Sequence, residues 1–261
     1  MKTVPRFMMA LVAIVALAAT SILLNGSADA KSKPKPHPHG YDILFVRHAH
    51  TVYPYPEQEL DALGIEQAAT LVQTLKNEPL RSVDTSLMVR TFQTADGVAG
   101  DHNLSLRADE DINEIKFDLT GLAAADWTSK LNTIMEKWLN GEQRGDRFCE
   151  SGNENCKDAT CEVGVNFCQG ENYYEVRNRW NRWWTNYVRE HRNDSGEGLV
   201  VAHGAIFMVM LPATCSNKIS TDFVIDNGVS NTGIIRAHLS PSGKLTCTSW
   251  DGKAIPGAPT T

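Results

Sequence analysis

Two short unbroken apolar runs, Ile43-Leu44-Phe45-Val46 and Leu199-Val200-Val201-Ala202, constrain this chain more than any other feature of its sequence. Runs of this length without polar alternation mark strands buried on both faces, and such strands occur where helices cover both sides of a sheet. Helical periodicity fills the interval between them. Leu60, Leu63, Ala68, Leu71, Val72 and Leu75 predict a helix over 60–77 that Pro79 closes off. A second helix is expected over 88–98, with short strands at 82–84 and 104–106 on either side of it. Trp127, Leu131, Ile134, Met135, Trp138 and Leu139 mark a third helix, stopped by Asn140-Gly141. Tyr173, Val176, Trp180, Trp183, Trp184 and Tyr187 put an apolar stripe on a fourth, which reads as core, with Arg177, Arg179, Arg182 and Arg189 as its mostly solvated face. A short fifth helix over 205–211 ends near Pro212, and late strands follow at 232–239 and 244–249. Strands alternating with helices predict an α/β fold: a three-layer α/β/α sandwich with a mostly parallel central sheet.

The ends of the chain and its cysteines carry a different kind of information. Lys2 and Arg6 precede an apolar run from Phe7 to Leu24, and Ala28-Asp29-Ala30 has the small-x-small form of a signal-peptidase site. Residues 1–30 are therefore expected to be a signal peptide, and 31–40, rich in Pro, Lys and His, an extended linker. That implies a secreted or periplasmic protein with no membrane attachment after cleavage. Six cysteines in an exported chain are most simply three disulfides. Cys149, Cys156, Cys161 and Cys168 crowd a polar segment, 141–172, that interrupts the alternation without adding hydrophobic periodicity and reads as an insertion. Their C-x6-C-x4-C-x6-C spacing lacks the tight hooks that grip zinc. Cys215 and Cys247 are left to pair with each other, one of fifteen connectivities that six cysteines allow. Twenty-five Lys and Arg against 31 Asp and Glu give a net charge of −6, which argues against nucleic acid as a partner. An anionic ligand would have to be met locally.

Both buried runs end in a histidine: Val46 is followed by Arg47-His48, and Ala202 by His203-Gly204. In open α/β sheets, ligands bind beyond the carboxyl ends of the strands, beside helix N-termini that attract anions. A lone histidine at such a place is more often a satisfied strand-end residue than a functional one. Two at equivalent places, one with an arginine beside it, point to a site.

The segment Arg47-His48-Ala49-His50-Thr51 resembles the RHGxT signature of the histidine phosphatase superfamily, whose fold is phosphoglycerate-mutase-like. Further segments follow in the family's order. Leu60 to Ala68 is similar to its L-T-x-x-G-x-x-Q-A, and Ser86 to Ala95 to its S-x-L-x-R-A-x-Q-T-A. Ile112 to Phe117 falls where the family has L-x-E-x-x-F, and Val201-Ala202-His203-Gly204 where it has V-S-H-G. The resemblance implies a catalytic domain over 41–255 carrying the 141–172 insertion. Two departures stand out: Ala49 replaces a glycine, which requires a negative φ there, and Pro54 stands where many members have a phosphate-contacting asparagine.

The resemblance also implies a distribution of roles, and each has a physical basis. Phosphoryl transfer needs an in-line nucleophile, fixed positive charge around the equatorial oxygens and a proton for the leaving group. His48 would be the nucleophile, with one ring nitrogen unprotonated and the other donating to a backbone carbonyl. Arg47 and Arg90 offer planar forks that fit phosphate oxygens, His203 a further charged donor, and Thr51 a hydroxyl. Glu114 is the expected general acid, with Glu110 and Asp111 as neighbouring carboxylates of the same chemistry. The scheme requires no cofactor or metal, and the sequence has no H-E-x-x-H, Walker loop or G-x-S-x-G. The expected activity is hydrolysis of a phosphorylated small molecule through a phosphohistidine. A catalytically silent phosphate-binding protein and a phosphomutase are the alternatives, and the short link from Thr51 to Leu60 disfavours the mutase.

Overall fold

The computed structural model describes residues 40–51, 59–117, 126–145 and 170–258, all within the unit Pro36–Thr261. The expected signal peptide, the linker up to residue 39, Pro54 and the four clustered cysteines lie outside the described residues.

Seven strands form one sheet in the order β3-β2-β4-β1-β5-β6-β7. The strands are β1 (Tyr41–Arg47), β2 (Leu80–Thr85), β3 (Leu106–Ala108), β4 (Gly196–Ala202), β5 (Ile234–Leu239), β6 (Leu245–Trp250) and β7 (Lys253–Ala254). The helices are α1 (Ala62–Leu75), α2 (Val89–Asp101), α3 (Trp127–Leu139), α4 (Tyr173–His191), α5 (Gly204–Thr214) and α6 (Thr221–Asn227), with one 3-10 turn at Glu110–Ile112. Strands β3, β2, β4 and β1 run parallel, whereas β5, β6 and β7 pair antiparallel on the far side of β1. The sheet is thus mixed, with a parallel core, and the two unbroken apolar runs are its adjacent central strands.

The side-chain alternation of these strands explains why both of their faces are apolar. Ile43, Phe45, Val200 and Ala202 join one core with α3, α4, α5 and α6. Leu44, Val46, Leu199 and Val201 join a second with Leu71 and Leu75 of α1 and Ala95 and Val98 of α2. Helices therefore cover both faces, which is the three-layer arrangement the sequence predicts.

Several local differences from the sequence reading have physical causes. The strand expected at 104–106 lies two residues later, because Asn103 takes a left-handed φ of +55° and Leu104 closes the α2 end by donating to Ala99. Helix α5 runs through Pro212 to Thr214; the Thr214 hydroxyl donates to the Met210 carbonyl, and Cys215 to that of Leu211. Leu63 is exposed, since α1 turns Leu71 and Leu75 to the core and Leu63 falls off that stripe. Helix α6, only seven residues long, was below the length that periodicity resolves. On α4, Tyr173, Val176, Trp180, Trp183 and Tyr187 are buried as expected, but so is Arg179. Cys215 and Cys247 form a disulfide with Cα atoms 5.7 Å apart, tying the end of α5 to β6.

Candidate active site

The parallel pairing of β1 and β4 aligns Arg47 with Ala202, so the next residue on each strand is a histidine. The His48 amide continues the ladder by donating to the Ala202 carbonyl at 2.9 Å. The two imidazole rings then lie with centroids 5.2 Å apart and planes at 60°. Both are buried.

His48 is held in one tautomer. Its Nδ1 lies 2.8 Å from the carbonyl oxygen of Ala49; a carbonyl can only accept, so Nδ1 carries the proton and Nε2 keeps its lone pair. The following loop is pinned from three elements. The Ala49 amide donates to Thr94 Oγ1, the His50 amide to Gln67 Oε1, and Asn231 Nδ2 to the carbonyl of His48 itself. Burial, reinforced by the positive charge of Arg90 and then of Arg47, pushes the His48 pKa down to about 3. Ala49 is fully buried and is not among the residues with positive φ, so the alanine is accommodated without strain.

His203 is the N-cap of α5 in extended conformation. Its Nε2 lies 2.8 Å from Ser86 Oγ, which is 2.9 Å from Thr91 Oγ1. Its Nδ1 is buried and has no hydrogen-bond partner among the described residues. Burial, together with the charges of Arg90, His48, Arg179 and Arg47, holds its pKa well below the usual imidazole value. Arg47 donates through Nη1 to the Val229 carbonyl at 2.8 Å, while its buried Nε is likewise unpartnered among the described residues. Burial lowers the Arg47 pKa, opposed by Glu114 and Asp251. Gly204 makes room for this guanidinium, since a Cβ there would lie 3.3 Å from both Cδ and Nε of Arg47. Arg90, near the start of α2, is buried and acts electrostatically on His48, His203 and Glu114.

Glu114 reaches the same place from the loop after the 3-10 turn. Its Oε1 accepts from the amides of Ile206 at 3.1 Å and Ile115 at 2.9 Å, and its Oε2 from Ala205 at 3.3 Å. The carboxyl therefore sits on the N-terminus of α5, whose amides favour its anion. Desolvation opposes them and prevails, so the pKa is raised despite those amides, Arg90 and Arg47. The neighbouring carboxylates are engaged elsewhere or exposed: Asp111 takes a two-pronged ion pair from Arg182, and Glu110 is exposed. Thr51 forms an antiparallel bridge with Leu60, just before α1.

The structure thus brings together His48, Arg47, Arg90, His203 and Glu114, while Thr51 belongs to the bridge that leads into α1. Side chains that sequence reasoning did not single out support them. Gln67, Gln93 and Thr94 accept backbone amides of the two loops, with Gln93 bound to the Leu60 amide at 2.7 Å. Gly64 packs so closely on the loop that a Cβ there would lie 2.0 Å from the His50 oxygen. Arg179 donates to the carbonyls of Asp111, Asn113 and Glu114 itself. No local spacing in the sequence joins these pairs, which are 14 to 68 residues apart. Among the described residues no group of three or more His, Cys, Asp and Glu is arranged to hold a metal ion.

Solved structures with the same architecture include "Mycobacterial hydrolase 1", with TM-score 0.61 and 18% identity over 82% of this chain and 100% of that one. A mycobacterial glucosyl-3-phosphoglycerate phosphatase matches with TM-score 0.59 and 17% identity over 81% and 99%. The alpha-ribazole phosphatase of Shigella flexneri matches with TM-score 0.57 and 18% identity over 84% and 100%. At these identities the likeness is one of fold. No curated protein matches the sequence. Residues 43–251, however, match the family model of the histidine phosphatase superfamily, branch 1, and the segment contains both strand-end histidines, both arginines and Glu114: the chain belongs to that superfamily.

Proposed function

We propose that this protein is an exported phosphomonoester hydrolase that works through a phosphohistidine at His48 without a metal ion. The observation that carries the reading is the state of His48: proton on Nδ1, lone pair on Nε2, and a pKa pushed down to about 3. Such an imidazole stays nucleophilic at any ordinary pH. In the first step the Nε2 lone pair forms the N–P bond while the bond from phosphorus to the leaving oxygen breaks. Glu114 gives its proton to the departing alkoxide. In the second step water attacks phosphorus, Glu114 takes the proton, and the N–P electrons return to Nε2 as phosphate leaves.

Arg47, Arg90 and His203 supply the charge that the equatorial oxygens require. The Nε of Arg47 and Nδ1 of His203, unpartnered among the described residues, support this role, because buried polar atoms normally find partners. Thr51 is assigned an auxiliary hydroxyl contact with the substrate. The substrate is a phosphorylated small molecule. The apolar run and cleavage pattern at the N-terminus, with the Cys215–Cys247 disulfide, support a secreted or periplasmic location.

The test is hydrolysis of p-nitrophenyl phosphate by the purified protein with and without EDTA, with acid-quench trapping of labelled protein. Turnover that survives chelation, forms acid-labile phosphoprotein and vanishes in His48→Ala is expected. Phosphate binding without any turnover would instead make this a silent binding protein, and turnover without covalent phosphate would remove His48 as nucleophile.

A further inference from the structure

The side chain of Glu114 is fixed by the N-terminus of α5, but its backbone belongs to a loop with little regular structure of its own. The backbone on the N-terminal side of Glu114 is gripped by one guanidinium. Arg179, on the second turn of α4 and 9% exposed, uses all five of its N–H groups. Nη1 donates to the carbonyls of Asp111 at 2.8 Å and Asn113 at 2.7 Å. Nη2 donates to the carbonyl of Glu114 at 3.3 Å and to Glu171 Oε2 at 2.9 Å, and Nε donates to Glu171 Oε1 at 2.7 Å.

Glu171 completes the clamp from the other end. Its Oε2 accepts the Lys116 amide at 2.9 Å, and its own amide donates to the Lys116 carbonyl at 2.9 Å. The ion pair therefore grips backbone at 111, 113 and 114 on one side and at 116 on the other, with Glu114 between them. The start of α4 is itself fixed by a capping box between Asn172 and Glu175, so the clamp stands on a rigid support. The neighbouring side chains of Ile112 and Ile115 are buried in the core, which seats the loop from below.

We infer that Arg179, oriented by Glu171, is the positioning residue that sets Glu114 for proton transfer to the leaving group. The inference rests on the reading of Glu114 as proton donor. An off-line carboxyl loses proton transfer steeply, so a displacement of its loop acts on the departing group and leaves phosphate capture by Arg47, Arg90 and His203 intact. Lysine cannot replace arginine here, because one ammonium with three donors cannot meet five acceptors spread over a planar fork.

The experiment compares Arg179→Lys, Glu171→Gln and Glu114→Gln on p-nitrophenyl phosphate, a good leaving group, and on an alkyl phosphate, a poor one. The expected result is that kcat for the alkyl phosphate falls about tenfold or more beyond the fall for p-nitrophenyl phosphate in each variant. Inorganic phosphate inhibition should change less than threefold, and Arg179→Lys should add no further selective loss to Glu114→Gln. Equal losses on both substrates in Arg179→Lys and Glu171→Gln overturn the inference, as does a multiplicative loss in the double variant. If Arg179→Lys does not fold, Glu171→Gln, which keeps the shape of the pair, decides alone. If Glu114→Gln itself costs both substrates equally, the underlying reading of the acid fails; if it is selective while the other two are not, this inference fails by itself.

Discussion

His48 and His203 stand one residue beyond the paired step Arg47–Ala202 of two adjacent parallel strands, with ring centroids 5.2 Å apart. Two buried imidazoles this close to each other and to Arg47 and Arg90 cannot both be cationic while no anion is present. His48 has its one proton fixed on Nδ1, whereas Nδ1 of His203 is buried and unpartnered among the described residues. An arriving phosphate dianion reverses the sign of the local potential and gives that atom an acceptor. Binding of inorganic phosphate is therefore expected to draw a proton from solution onto His203. Titration calorimetry in buffers of different ionisation enthalpy, at a pH where phosphate is already dianionic, reads the uptake directly. His203→Gln should abolish it and weaken phosphate binding by roughly 10- to 100-fold, the worth of a charged hydrogen bond. Uptake that persists in His203→Gln and disappears in Glu114→Gln would assign the proton to the carboxyl instead.

The pH profile follows from the two opposite shifts in the site. His48 must be unprotonated to attack, and its pKa of about 3 places that limb far to the acid side. Glu114 must be protonated to act as acid, and desolvation raises its pKa above the ordinary carboxylate value. Activity is then expected to be highest in moderate acid and to fall as pH rises through the Glu114 pKa. Measuring kcat for an alkyl phosphate, whose poor leaving group needs the proton, against pH in wild type and Glu114→Gln cancels the ionisation of the substrate. The descending limb should flatten in the variant. An identical limb in both proteins would rule out Glu114 as its source.

Much of this site was legible in the sequence because it is built at strand ends. A buried strand is a continuous apolar run, the residue that follows it is at a site by topology, and Arg47, His48 and His203 could be placed with no knowledge of side-chain contacts. Glu114 needed the family resemblance, since Glu110, Asp111 and Glu114 are alike in type and only the α5 amides and the Arg182 pair separate them. Arg179 was misread for a related reason. It lies among three other arginines on a helix whose apolar stripe satisfies the core without it, and the carbonyls it holds at Asp111 and Asn113 are 68 and 66 residues away. The same is true of Gln67 and Gln93, whose amide-accepting roles follow from loop geometry that periodicity does not encode.

Gly64 gives a test of how tightly the nucleophile loop is built. It lies in the first turn of α1, where the N-cap Asp61 accepts its amide and also meets His50 Nδ1 at 2.8 Å. A Cβ on Gly64 would fall 2.0 Å from the His50 carbonyl oxygen, a backbone atom that cannot rotate away. In an ordinary helix, Gly→Ala stabilises by about 0.5–1 kcal/mol. Here Gly64→Ala is expected to lower the melting temperature and to reduce kcat by displacing the loop after His48. Differential scanning calorimetry alongside p-nitrophenyl phosphate kinetics checks both, and a variant as stable and active as wild type would contradict the close approach.

A second carboxyl, at the opposite end of β4 from His203 and on the α1–α2 side of the sheet, links stability to pH. Glu197 is 5% exposed, in register with Asp42 on β1. Arg236 reaches it through Nη1 at 3.4 Å and reaches Glu78 through Nη2 at 2.8 Å. Burial first, then the charges of Glu78 and Asp42, push the Glu197 pKa up to about 8 against the pull of Arg236, while His238 is turned to Asp42 at 2.7 Å. The folded-state pKa is above the unfolded value of about 4.3, so the native protein binds the extra proton. The resulting stability is fully present below the unfolded pKa and is lost as pH rises towards 8. Each unit of displacement is worth about 1.4 kcal/mol, and about 1 kcal/mol moves the Tm of a domain of this size by roughly 2–4 °C. Glu197→Gln removes the titrating group while keeping its shape and its acceptor oxygen for Arg236. Its Tm relative to wild type is therefore expected to be higher at pH 8 than at pH 5, by about 5 °C or more on these increments. Thermal melts at the two pH values decide the matter, and a wild-type Tm that rises over this interval with no change in Glu197→Gln would show that the carboxyl is already ionised in the folded protein.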